Sequence, residues 1–172
     1  AAGRRAKANH SGAFVWGDDT DADVASASAN QFIARASGGV IFYTNTGLTA
    51  GVTLAAGGGS FASISDRNLK SNFTDVDPHE ILDRLSAIPI QKWNYKSQDP
   101  SIRHIGPMAQ DFRKAFGVGE DERHITNVDA DGVALAAIQA LNQLVQEKDD
   151  QLQLQKTQIQ DLQEELDVVK RW

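Results

Sequence analysis

The sequence predicts an α+β chain built in three parts: a β-rich stalk end, a small mixed α/β domain, and one long C-terminal helix. Three observations carry this. Residues 1–64 hold most of the glycine and no long helical period, only short apolar runs between turn residues. After Ser65, short strand and helix patterns alternate. From Asp131 there is no proline and no glycine beyond Gly132, and apolar residues recur every seven positions. The expected divisions are therefore 1–64, 65–130 and 131–172.

In the first part the strand candidates are Ala13–Trp16, Gln31–Arg35, Val40–Thr44 and Val52–Leu54. They are short, and 64 such residues have little core to bury alone. Several copies wound round one axis would each supply a face, so this part reads as the end of a multimeric stalk or spike. Asp18-Asp19-Thr20-Asp21-Ala22-Asp23 has alternating carboxylates but lacks the glycine and closing glutamate of a calcium loop, and reads as a solvated turn. Arg4-Arg5-x-Lys7 reads as simply exposed. Residues 57–73, Gly-Gly-Gly and then FASISDRNLKSNF after Ser60, have the polarity of a connector, yet place Ser65 five residues before Lys70.

In the second part, Asp77 is a good N-cap, Pro78 suits the first helical position and Glu80 completes the cap, predicting a helix over 78–85. Ile90–Tyr95 alternates as a strand, with Ile102–Ile105 as its partner. Gly106-Pro107 opens a helix through Met108, Ala109, Phe112 and Phe116, closed by Gly117. Residues 124–128 form a further strand candidate. In the last part Ile138, Val145, Leu152, Ile159 and Leu166 mark one seam of a coiled coil; Leu141, Lys148, Gln155, Leu162 and Val169 mark the other. Lys148 and Gln155 are polar layers that fix register or oligomer number. Periodicity alone leaves two and three strands both open.

Composition narrows the function classes. The chain has 172 residues and a net charge of −6. Residues 1–64 balance four Lys/Arg against four Asp, so the whole excess, 13 Lys/Arg against 19 Asp/Glu, follows Ser65. An acidic chain argues against nucleic acid as the main partner. Cysteine is absent, which excludes disulfides and thiolate metal sites. His10, His79, His104 and His124 show no ligand spacing, so no metal or cofactor is expected. No apolar run is long enough to span a membrane. The only methionine is Met108 and no secretory leader is recognisable, so the sequence reads as a fragment or processed piece of a longer chain. Trp16 and Trp93 read as packing anchors and share no pattern with Trp172.

Three ordered blocks resemble one known family. Ser65-Asp66-Arg67-Asn68-Leu69-Lys70 resembles the signature opening of the intramolecular chaperone auto-processing domain of phage endosialidases, tail fibres, tailspikes and some bacterial surface proteins. His104-Ile105-Gly106-Pro107-Met108-Ala109-Gln110-Asp111 resembles its His-x-Gly-x-x-Ala-Gln-Glu/Asp block, with Pro107 where an aromatic residue is commonest. Val133 to Leu141 is similar to the helix that begins its C-terminal coiled coil. The resemblance runs from residue 65 to about 150. It implies a homotrimeric folding clamp, with the chain's own N-terminal β-rich segment as client, on a phage tail or bacterial surface. It further implies self-cleavage between Ile64 and Ser65, with Ser65 as nucleophile and Lys70 as base.

The residues suit that chemistry. A serine hydroxyl needs a neighbour to take its proton, and a Ser–Lys pair is one known arrangement. The lysine must be neutral, which burial or a nearby positive charge favours. Arg67 and His104 are candidates for that charge. Asp66 would oppose it and is expected to face backbone amides instead. Asn68, Gln110 or backbone amides are candidates to hold the oxyanion. Two other readings stand beside this one: an assembly tip that does not cut, and an adhesive or receptor-binding tip.

Overall fold

The computed structural model describes residues 1–171; Trp172 lies outside the described residues. The chain divides into two compact units, the first Ala1–Phe73 and the second from Thr74 onward. The fold is α+β, with short strands and one long C-terminal helix.

The first unit begins as a stack of coils. Strands β1 (Ala2–Gly3), β3 (Phe14–Gly17) and β5 (Phe32–Arg35) run parallel, as do β2 (Ala6–Lys7) and β4 (Val24–Ala25). Phe14 lies opposite Phe32 and Ala6 opposite Val24, each 18 residues apart, while Ala2 lies opposite Trp16, 14 residues apart. Each coil stacks on its neighbour, the logic of a solenoid. The turns repeat as well: Gly12 and Asn30 stand 18 residues apart and both adopt the left-handed conformation, φ 69° and 61°. Alternation along β3 buries Val15 completely and leaves Phe14 and Trp16 outside. Phe14 stacks on Phe32 with ring centroids 5.2 Å apart. Trp16 is thus half-exposed rather than a fully packed anchor.

The aspartate run is an exposed turn whose carboxylates also form a charge ladder between coils. Arg4 pairs with Asp19 and Asp21, Arg5 with Asp21 and Asp23, and Lys7 with Asp23. The pairing arises because the coil places 4–7 and 19–23 on adjacent rungs. Arg35 is the least exposed cation of the group. Its Nε donates to Asp18 at 2.9 Å, and its terminal nitrogens donate to the carbonyls of Ala22 and Thr20 at 2.7 and 3.0 Å. Asp18 also accepts from the Ser37 amide at 2.7 Å. Hydrogen bonds from Ser37 first, then Thr20 and Arg35, hold the Asp18 carboxyl well below the usual carboxylate range. A lowered folded-state value gives stability that is present above the unfolded value, about 3.9, and lost as pH falls below it. Asp18→Asn should therefore lower the melting temperature of the coil stack at pH 7. Parent and variant melts should converge on acidification below about pH 4; a gap unchanged at low pH would show that Asp18 acts by packing.

Strands β6 (Val40–Tyr43), β7 (Gly51–Leu54) and β8 (Phe61–Ser63) then form an antiparallel meander. The first two match sequence expectation. The third lies in the stretch whose polarity suggests a connector.

The second unit opens with α1 (Pro78–Ala87), capped by the Asp77 side chain, which accepts from the amides of His79 and Glu80. Strands β9 (Gln91–Trp93) and β10 (His104–Gly106) pair antiparallel, Trp93 opposite His104. Helix α2 (Ala109–Phe116) ends at Gly117 in the left-handed conformation. Ile88, Phe112 and Val133 form the core, with Leu85, Ala115, Phe116 and Ile125 against it. Arg84 ties the layers by donating to the Ala115 carbonyl at 2.7 Å.

Helix α3 (Asn127–Lys170) has 44 residues, about 66 Å. It starts four residues earlier than the heptad pattern indicates, so the strand expected over 124–128 is absent. Thr126 Oγ1 accepts from the Asp129 amide at 3.1 Å and nucleates the first turn, while Ile125 packs on the Phe112 core. Only Val133, Ala137 and Ala140 of this helix are buried. The seam residues Ile138, Leu141, Val145, Leu152, Ile159, Leu162, Leu166 and Val169 are 51–69% exposed in the single chain. Among the described residues no helix is long and apolar enough to cross a membrane.

Candidate functional site

Ser65 stands at the end of a strand. In β8, Phe61, Ala62 and Ser63 face Leu54, Thr53 and Val52 of β7. The ladder extends one residue further, where the Ile64 amide donates to the Gly51 carbonyl at 3.4 Å. Ser65 is the first residue beyond it.

The chain then folds back on itself. Asp66 is extended and caps a single 3-10 turn over Arg67–Leu69. Its carboxylate accepts from the Asn68 amide at 2.8 Å and from the Asn68 side chain at 3.0 Å. This Asx-type cap is a common use of an aspartate before a turn. The amides of Leu69 and Lys70 donate to the carbonyls of Asp66 and Arg67 at 3.1 and 3.2 Å. The reversal brings Lys70 Nζ to 2.6 Å from Ser65 Oγ, a hydrogen bond with the ammonium donating. Arg67 lies over the Phe73 ring, 4.9 Å from its centroid. Asp66, Arg67 and Asn68 thus build the turn that closes the Ser65–Lys70 contact. The Asn68 side-chain amide gives one of its two N–H donors to Asp66.

Both side chains of the pair are exposed in the single chain. The flanking apolar residues Ile64, Leu69 and Phe73 are exposed too, by 38%, 50% and 59%. A solvated ammonium is not a base; excluding water or bringing up positive charge is what in general makes a lysine neutral.

His104 and Gln110 belong to the second unit. His104 Nε2 lies 2.8 Å from Gln98 Oε1, and its ring packs against Trp93 and Tyr95, 4.8 and 5.4 Å between centroids. Gln110 sits exposed in the first turn of α2, beside a hollow lined by Trp93, Tyr95 and Arg123. Among the described residues no three His, Asp or Glu side chains are grouped to hold a metal.

What the residue pattern leaves unseen is β8 and its last hydrogen bond to Gly51. A signal exists: residues 55–60, Ala-Ala-Gly-Gly-Gly-Ser, follow β7 directly, and a glycine-rich turn after a strand favours a returning strand.

Residues 65–118 match the model of a peptidase family described as the chaperone of endosialidase. The match begins at Ser65 and ends just past the Gly117 cap of α2. No curated protein matches the chain.

Proposed function

We propose that this chain, whose residues 65–118 carry a domain of the endosialidase-chaperone family, trimerises, assists folding of its own N-terminal β-rich segment, and then releases itself by cutting between Ile64 and Ser65. The observation that supports this most directly is the 2.6 Å contact between Lys70 Nζ and Ser65 Oγ at the first residue after a client strand. The parent is a phage tail fibre, tailspike or bacterial surface protein.

In this reaction Lys70, once neutral, takes the Ser65 hydroxyl proton. Ser65 Oγ attacks the Ile64 carbonyl carbon. The C–N bond to the Ser65 nitrogen breaks, that nitrogen takes up a proton, and an ester joins Ile64 to Ser65 Oγ. Water then hydrolyses the ester, leaving an Ile64 carboxylate and a free Ser65 hydroxyl and amine. The boundary between Ile64 and Ser65 is thus chemical. Neighbouring copies packed over Ile64, Leu69 and Phe73 would exclude water and favour neutral Lys70. The exposed seam of α3 is the element that gathers those copies and raises their local concentration. A β-stalk closing strands between chains folds slowly and exposes edges, so a clamp helps during assembly and is dispensable afterwards.

Intact mass of the purified parent tests this reading. Two pieces of 64 and 108 residues, divided at Ile64–Ser65, are expected. A second reading, an assembly tip that never cuts, draws on the exposure of Ser65 and Lys70. It takes over if a well-folded trimer stays whole.

A further inference from the structure

The Ser65–Lys70 contact spans only five residues, so it forms through a local turn. A pair this local cannot by itself report that the client has folded. The bond to be cut, however, is tied to a non-local contact. The Ile64 amide is the last donor of the β7–β8 ladder, and its acceptor is the Gly51 carbonyl.

Gly51 is held from several sides. It pairs with Tyr43 of β6, and the Thr44 amide donates to the Ala50 carbonyl at 2.9 Å. Asn45 Oδ1 accepts from the amides of Thr49 and Ala50 at 2.9 and 3.1 Å, closing the β6–β7 loop. Gly51 has φ 155°, and a Cβ there would lie 2.0 Å from the Phe42 carbonyl oxygen, so only glycine fits. β8 is an edge strand, bonded on one side only. Such strands are the first to undock.

We infer that docking of β8 on β7 is the folding signal that licenses the cut. With the strand docked, Ile64 is anchored and its carbonyl is presented to Ser65. With it undocked, the Ile64–Ser65 bond swings freely although the Ser65–Lys70 pair persists. The client's last strand thus reports that the meander has closed. This inference rests on the self-cleavage reading.

Proline substitutions separate the two sides of the edge. In an antiparallel ladder bonded pairs alternate. Since Ile64 bonds to Gly51, the Ala62 N–H faces Thr53 and the Ser63 N–H faces away. Ala62→Pro removes a ladder donor; Ser63→Pro removes a free one. In full-length chains of matched oligomeric state, Ala62→Pro should cut about tenfold slower than the parent and Ser63→Pro at nearly the parent rate. Equal rates in the two variants overturn the coupling. Hydrogen exchange at Ile64 in the whole Ser65→Ala protein is the second readout, and it decides alone if Ala62→Pro fails to assemble. Protection of about tenfold or more over a free peptide supports docking, and exchange at the free-peptide rate overturns it. A parent that stays whole overturns the self-cleavage reading itself, a result distinct from a parent that cuts with both proline variants cutting equally.

Discussion

Ser65→Ala and Lys70→Ala chains are expected to stay whole where the parent divides. Alanine at 65 removes the proposed nucleophile, and alanine at 70 removes the amine that stands 2.6 Å from that hydroxyl. Loss of either member of such a pair costs about a thousandfold or more, because the two act as a unit. Lys70→Arg separates charge from basicity. It keeps a cation beside Ser65 but cannot become neutral near pH 7, so it too is expected to stay whole. Intact mass and N-terminal sequencing read all three. Since both side chains are exposed, none of these changes should alter folding or oligomer size by sedimentation. Cutting that persists in Lys70→Ala would remove lysine from the mechanism and leave the Ser65–Lys70 contact as a turn-closing hydrogen bond.

The second large effect lies in α3. Ile159 and Leu162 are 55% and 63% exposed in the single chain and lie on the two seams. If the seam is where copies meet, each is buried on assembly, and replacing each costs about 2–5 kcal/mol per chain. Ile159→Asp with Leu162→Asp adds desolvated carboxylates facing one another in every copy. Oligomer should give way to monomer at micromolar concentration, measured by sedimentation. Gln160→Asp, off both seams, should leave the oligomer intact. The seam variant should also fail to cut, because the copies that would exclude water from Ser65 and Lys70 no longer gather. Cutting at the parent rate by a monomer would show that the site works within one chain. The Asp18 ladder should be unaffected, because its partners all lie in the same chain.

How far the residues themselves carry this protein depends on how local each interaction is. Helix α1 could be read from Asp77, Pro78 and Glu80 because a cap is a contact within four residues. The long helix is visible in its heptads, and the end of α2 in Gly117, for the same reason. Ser65 and Lys70 stand out because a five-residue spacing, two further blocks and a matching family model over 65–118 converge on them. Their meeting at 2.6 Å needs only one 3-10 turn, which Asp66 and Asn68 cap.

Other features belong to the tertiary structure alone. The coil stack brings Phe14 over Phe32 and Asp18 to Arg35, pairs whose residue types reveal nothing about an 18-residue repeat this degenerate. Ile125 looks like a strand residue until Phe112 offers it a core and Thr126 starts a helix beside it. The strand before Ser65 is thin in apolar residues and becomes a strand because β7 supplies unpaired backbone groups. Residue types determine contacts a few positions long, where few conformations compete. The bond from Ile64 to Gly51 requires closing a loop through β7 and β8, and that closure is decided by the packing of the whole meander.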